Sequence, residues 1–426
     1  MVDVRGFRAI RYSELAGDAE ALITQPYDKI DAAMQREYYA KSPYNYCRLI
    51  LPMENNKYGV ALRRIKDWLA KGVLVKDAEP SVFVCRQEFK MGDHTCVRTG
   101  VIAALRLYDY GEDVVFPHEI TYSAPKADRL SMLRTVQRDL EPVFVMYSDP
   151  EGATIGLFEE VSKGKPIVVV RDSFGVTHTV WRIKDQGKIR LLRESLAAKT
   201  VVITDGHHRY ESALAYRDEK RREKGWSDDA AFNFHMSLFV PLEDEGLVVL
   251  PTHRLLRRFE LKDEGLDALR QFFTVTEIEA SVAGLDSFLE AHGNEHAFAV
   301  YTKGRAYGLD LRHRPQVYEF IRAKSSRDTK VYDVVILHDV IFKAILKLGD
   351  LKMDEDLLYE RWTKAAVDRV DSGEAKVAFL VNPISAEMVW QIAHQHERMP
   401  EKTTDFYPKP VSGLTMMDIA NGEKLT

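Results

Sequence analysis

Residues 200–225, TVVITDGHHRYESALAYRDEKRREKG, decide how this chain is read. The β-branched run Val201-Val202-Ile203-Thr204 predicts a strand and Asp205-Gly206 a tight turn, after which Tyr210, Ala213, Leu214 and Arg217 recur at helical spacing. Gly206 permits a sharp turn or close approach to a ligand. The helix that follows presents unpaired N–H groups and partial positive charge to whatever sits there. His207, His208 and Arg209 crowd the same first turn, so the site suits a phosphate. Asp205 is then awkward, because a carboxylate repels a bound phosphate unless a divalent cation bridges them or the carboxylate acts as a base on an incoming hydroxyl. Both resolutions point to phosphoryl transfer. The bland alternative makes Asp205 an N-cap and His-His-Arg a solvated surface; five adjacent residues that all fit one anion site weigh against it.

With 426 residues the chain is long enough for two or three domains, and 45% hydrophobic with 29% charged residues fits an ordinary globular protein. A net charge of −5 gives no electrostatic footprint for nucleic acid. Cys47, Cys85 and Cys96 show no zinc-ligand spacing, and a reducing cytoplasm fits them best. Cys85 and Cys96, on two successive strand-like runs, either face each other or are unrelated thiols. The N-terminal MVDVRGFRAIRYSEL is charged and no apolar stretch is long enough to span a bilayer, so neither a secretion signal nor an anchor is expected.

Three further polar clusters stand out. Phe116-Pro117-His118-Glu119-Ile120-Thr121 makes a corner after a strand pair, where loops on rigid strands often carry catalytic groups; alternatively, His118 or Glu119 caps a helix over 127–140. Thr252-His253-Arg254 follows a strand end, and its basic residues either clamp a phosphate or join the charged run Arg257-Arg258-Phe259-Glu260. Residues 399–410, MPEKTTDFYPKP, hold Lys402, Thr403, Thr404 and Lys409 among three prolines, either as phosphate donors or as a strap over apolar surface. His338, in the apolar stretch 331–347, reads as a core histidine. No GxxxxGK[ST] loop and no GxGxxG after a strand occurs.

Pro26-Tyr27-Asp28, Pro43-Tyr44-Asn45, Arg98-Thr99-Gly100, Pro117-His118-Glu119, Asp205 through Tyr210, Pro251 through Arg254, and Met399-Pro400 through Pro410 together resemble a widespread prokaryotic family known only as a domain of unknown function, number one thousand and fifteen. More distantly, the Asp-Gly-His-His-Arg turn is similar to the phosphate-binding turn of ParB N-terminal domains, sulfiredoxins and the archaeal free-serine kinase. That resemblance implies a mixed α/β (α+β) fold: a ParB/sulfiredoxin-like core elaborated by large insertions and a second α/β subdomain. The expected division is a phosphate-binding core with an N-terminal elaboration over 1–230, an α/β subdomain over 231–330, and a C-terminal helical segment and strap over 331–426 that returns to the site.

The kinase resemblance implies that Asp205 acts in catalysis and that an earlier glutamate deprotonates a serine hydroxyl, for which Glu119 is the candidate. The two motifs are further apart than in a minimal fold of that type, so an insertion is required. The leading expectation is a small-molecule kinase acting on free L-serine or a similar metabolite, with ATP, ADP or pyrophosphate as donor and Mg²⁺ as cofactor. Asp205, Glu119 and His207 are the catalytic candidates, and Asp205 is also the metal ligand. Gly206, His208, Arg209, His118, His253, Arg254, Lys402, Thr403, Thr404 and Lys409 are the phosphate contacts. The alternatives are a nucleotide-binding regulatory protein of ParB-like type and a metal-dependent phosphohydrolase. A small-molecule substrate is expected and nucleic acid is not; the oligomeric state, a homodimer included, stays open.

Overall fold

Long β-branched and aromatic runs with two-residue periodicity build the larger sheet, as a pleated and largely buried surface requires. In the computed structural model, which describes every residue except Tyr122, Lys224, Asn294, His313, 323–331, Asp350, Asp354, Glu401 and Thr426, the chain forms two units. The first comprises Met1–Val248, Trp390–Arg398 and Phe406–Thr426, and the second Val249–Val389 and Met399–Asp405. The fold is mixed α/β.

The first unit is organised by a nine-stranded sheet. Its strands in chain order are β1 (Val4–Arg5), β2 (Val82–Met91), β3 (His94–Arg106), β4 (Val115–Pro117), β5 (Val143–Tyr147), β6 (Val168–Arg171), β7 (Thr177–Ile183), β8 (Val201–Asp205) and β9 (Phe234–Pro241). Across the sheet the order is β4-β8-β5-β9-β3-β2-β7-β6, with β1 added beside β3. Most pairs are antiparallel, but β8 runs parallel to β4, with Ile203 opposite Pro117. The residues that follow these two neighbouring strands therefore emerge at the same sheet end. In the β2–β3 hairpin Cys85 faces Gly100 and Cys96 faces Phe89, so the two thiols are not partners.

Three helices matter to the site: α1 (Lys57–Ala70), α2 (Ser123–Val136) and α3 (His207–Arg221). Trp68 of α1, Met132 and Val136 of α2, and Tyr46, Leu140 and Met416 pack into one buried cluster, tying N- and C-terminal segments together.

A six-stranded sheet carries the second unit. Its strands are β10 (His253–Leu256), β11 (Phe273–Ile278), β12 (Ala297–Thr302), β13 (Arg305–Leu311), β14 (Leu357–Glu360) and β15 (Val377–Val381), in the spatial order β11-β13-β12-β15-β10-β14. Alternation in β12 divides two cores: Phe298 and Val300 join Phe273, Leu337, Ile341 and Phe379, whereas Ala299 and Tyr301 join Leu255, Leu285 and Leu380. The apolar stretch holding His338 is a π-helical segment, Ile336–Ile345, on the first of these cores.

Candidate functional site: the turn at Gly206

Strand β8 ends in a register shift between Ile203 and Asp205, while the Thr204 hydroxyl donates to the Phe144 carbonyl at 3.0 Å. Such a bulge re-aims the following side chain. Gly206 then takes φ 92°, and the 15-residue helix α3 begins with no side chain capping its first turn. The glycine is required twice over: its φ lies in the left-handed region, and a Cβ would meet the Arg209 guanidinium carbon at 2.9 Å.

Asp205 is a hub for two cations. Its Oδ2 accepts from Arg209 Nη2 at 2.5 Å and its Oδ1 from Lys409 Nζ at 2.6 Å. Burial pushes this carboxyl up, but the Lys409 and Arg209 charges outweigh that and, with Lys29 adding its own, hold it well below the usual carboxylate range. With both oxygens engaged, Asp205 is a weak base. Nor does it suit the metal-ligand role expected of it, since a divalent ion would have to displace ammonium or guanidinium. Among the described residues no group of three His, Cys, Asp or Glu could hold a metal.

The Pro117-His118-Glu119 corner follows β4 and so meets the turn across 89 residues of sequence. The His118 and His207 rings make an edge contact at 4.7 Å. His118 Nδ1 donates to the Ile203 carbonyl at 2.6 Å, and the His118 backbone N–H donates to His207 Nε2 at 3.4 Å. This leaves the His207 proton on Nδ1, 3.9 Å from Glu119 Oε2. Burial pushes His118 down to about 4 and His207 well below its ordinary value, so both rings are neutral at pH 7. Neither ring brings a charge to an anion, and the N–H of His118 is engaged by the Ile203 carbonyl. Glu119 keeps 19% of its side chain exposed. The helix expected over 127–140 is α2, which begins at Ser123 and ends at Val136.

Lys409 reaches Asp205 because the C-terminal strap is clamped to the sheet. Arg98, wholly buried, donates from Nη1 to the Tyr407 carbonyl at 3.1 Å, bonds the Pro408 carbonyl, and stacks on Phe144 at 4.6 Å. Gln87 accepts from Arg98 Nε at 3.1 Å and donates to the Lys409 carbonyl at 3.3 Å. Further on, Ser412 exchanges backbone hydrogen bonds with Thr24, and its hydroxyl donates to Glu141 at 2.9 Å.

Several of these residues were missed in the sequence. Glu141 accepts the Tyr27 N–H at 3.0 Å, and the Arg129 guanidinium lies 3.9 Å from the Tyr27 ring centre, which ties the Pro26-Tyr27 turn to the site. The only signal was a Glu-Pro pair, Glu141-Pro142, directly before the apolar run Val143–Tyr147. Glu211 of α3 takes the Thr121 hydroxyl at 2.8 Å and Lys126 at 2.9 Å. Arg398 is exposed and sits 5.0 Å over the Tyr110 ring, whose hydroxyl donates to Glu211 at 3.3 Å; its charge also bears on His207. No periodicity marks Arg398.

His253, Arg254, Lys402, Thr403 and Thr404 belong to the second unit. Arg254 is buried; it donates to the Lys402 carbonyl at 3.0 Å, to His338 Nε2 at 3.3 Å and to the Thr252 carbonyl, and no carboxylate among the described residues pairs with it. It therefore does not join Arg257-Arg258-Phe259-Glu260 in an ion pair. His253 Nδ1 accepts the Val381 N–H at 3.3 Å, and burial pushes the ring down to about 3. Thr403 donates to the Pro400 carbonyl at 2.7 Å.

The family described as protein of unknown function, DUF1015, matches residues 4–335. The chain belongs to that family. No curated protein matches it. Among solved structures, a free serine kinase variant in complex with ADP is similar at a TM-score of 0.37 and 12% identity, covering 75% of this chain and 91% of that one. A conserved hypothetical protein from Pyrococcus furiosus is similar at 0.33 and 16% identity, covering 73% and 93%. SbnI with a C-terminal truncation, from Staphylococcus aureus, is similar at 0.36 and 9% identity, covering 75% and 87%. Among the described residues of this DUF1015 chain, no helix is long and apolar enough to cross a membrane.

Proposed function

We propose that this DUF1015 protein is a phosphotransferase that moves a phosphoryl group from a nucleotide or pyrophosphate to the hydroxyl of a small metabolite, free L-serine or a similar compound. The observation that carries this reading is the uncapped start of α3 at a left-handed Gly206, beside a partly exposed Glu119. Backbone N–H groups aimed outward from a long helix favour an anion, and phosphoryl transfer needs little more than positioning, charge neutralisation and one base.

In this reading Glu119 takes the acceptor hydroxyl proton, with the His207 Nδ1–H facing it at 3.9 Å. Asp205 holds Lys409 and Arg209 at the turn, where their charges and the first N–H groups of α3 attract the phosphate together with His208. Arg398, exposed over the Tyr110 ring and with no carboxylate partner among the described residues, is a cation that can follow the transferring group. Arg254 of the second unit, with Lys402, Thr403, Thr404 and His253, forms a second candidate anion contact.

One observation favours a second reading, nucleotide binding without turnover: both oxygens of Asp205 are already engaged, as in a purely structural hub. A donor-by-acceptor screen with product detection separates the two. Phosphorylated serine or a related phosphomonoester is the expected product. A nucleotide-induced change in gel filtration with no product from any donor would replace the kinase reading with the second.

A further inference from the structure

Arg209 also lines a cavity of about 30 Å³, together with Asp139, Glu141 and His235. That volume admits one or two waters. Asp139 sits on the short strand Arg138–Asp139, paired with Met417–Asp418, and is 1% exposed. Its Oδ2 accepts the Met236 N–H at 2.9 Å, while Oδ1 has no hydrogen-bond partner among the described residues. The nearest candidate, His235 Nε2, lies 3.6 Å away, too far for a direct bond. His235 Nδ1 donates to the Met236 carbonyl at 2.7 Å, so Nε2 offers a lone pair. Two acceptors thus face one small space, and a bridging water can donate to both; a carboxyl buried with one N–H donor on Oδ2 and no partner on Oδ1 favours its neutral, protonated form.

We propose that the cavity holds a water bridging a protonated Asp139 to His235 Nε2, and that the pair is a proton site sensed by Arg209, so that ionisation of Asp139 weakens anion binding at the Gly206 turn. The second half rests on the anion reading of that turn. Asp139 is a positioning residue, acting through Arg209, which bonds Asp205 on one side and lines the cavity on the other.

Burial pushes Asp139 up to about 8 and His235 down to about 3, in keeping with a neutral pair at pH 7. Other charges do not remove the need for a proton. Arg138 is drawn off by Asp418 at 2.8 Å. Arg129 of α2 is held by Asp128 at 2.5 Å and lies 3.8 Å from Glu141, a carboxyl itself pushed up by burial. Tyr216 of α3 and Tyr46, whose hydroxyl donates to the Leu140 carbonyl, face the same region as neutral phenols pushed up by burial.

Asp139→Asn copies the protonated acid, since its amide oxygen can accept from Met236 while its NH₂ serves the water. Inorganic sulfate, divalent throughout the range, is the probe. Wild-type affinity should fall on the order of tenfold between pH 7 and pH 9, the size expected for one added charge in a poorly solvated interior, while D139N should stay flat at the pH 7 value. An equal loss in D139N overturns the coupling. Infrared spectra decide the proton site separately: wild type should lose protonated-carboxyl carbonyl intensity as pH passes 8, and D139N should lack that component, whatever band the buried Glu141 adds to both. A wild-type spectrum with no loss through pH 8, or the same loss in D139N, overturns the proposal even if D139N folds poorly. If sulfate fails to bind wild type at every pH, the anion reading of the turn fails while the band still decides the buried acid.

Discussion

Replacing Asp205 by asparagine would leave Lys409 and Arg209 buried against a neutral amide. Losing one member of a buried ion pair costs about 3–5 kcal/mol, so D205N should lower the unfolding free energy by that amount in denaturant titration, and its activity loss will not isolate a catalytic role. Glu119 is the cleaner probe, because its side chain is partly exposed, whereas that of Asp205 is buried between two cations. Glu119→Gln should keep wild-type stability and lose roughly 10²–10⁴-fold in turnover; unchanged turnover in a steady-state assay would remove Glu119 as the base. Arg398→Ala removes an exposed cation whose only contact among the described residues is a ring face. It should weaken ADP binding about tenfold by calorimetry, the scale of one charge-assisted hydrogen bond, with stability unchanged.

At the level of elements, the site depends on two neighbouring parallel strands and one helix start. Gly206→Ala forces a left-handed alanine and pushes its Cβ into the Arg209 guanidinium. The strain is about 1–3 kcal/mol, and displacing Arg209 also disturbs Asp205. A lowered midpoint of thermal unfolding together with lost anion binding is expected; an alanine variant that keeps both would show that the turn does not need this conformation. The two parallel strands explain why Glu119 and His207, 88 positions apart in sequence, come within 3.9 Å. Insertion between β4 and β8 lengthens the path without moving either strand end.

Across the whole molecule, buried titratable groups set the pH dependence of stability. His118, His235, His253 and His338 are each pushed by burial to between about 3 and about 4. The folded state refuses protons that the unfolded chain takes up near 6.5, so stability should rise as pH climbs from about 4 to about 6.5. Asp139 acts oppositely: its folded value of about 8 exceeds the unfolded value, so the folded state holds a proton the unfolded chain has released. Stability from that group is full below pH 4 and declines up to about pH 8, by at most about 1.4 kcal/mol per pH unit. The sum is a maximum near pH 6.5 followed by a descending limb. Chemical denaturation across pH should show that limb in wild type and not in D139N; a limb that persists in D139N would place its origin elsewhere.

What the sequence determined by itself was local. The strand, turn and helix at 201–221 follow from β-branched residues, a glycine and 3.6-residue spacing, and the proposal that the turn binds an anion starts from the same few residues. The ordered motifs were enough to indicate the family, since each marks a short stretch of backbone with its own chemistry. Only the tertiary structure decided which distant side chains share the site. Strand order put His118 and Glu119 beside His207, the Arg98 clamp delivered Lys409, and burial took the charge from both histidines. Asp205 changed most in meaning, from metal ligand or base to an anchor for two cations. Neither ion pairing at 204 residues' separation nor the desolvation of an imidazole leaves a mark on nearby sequence, because both depend on which strands become neighbours.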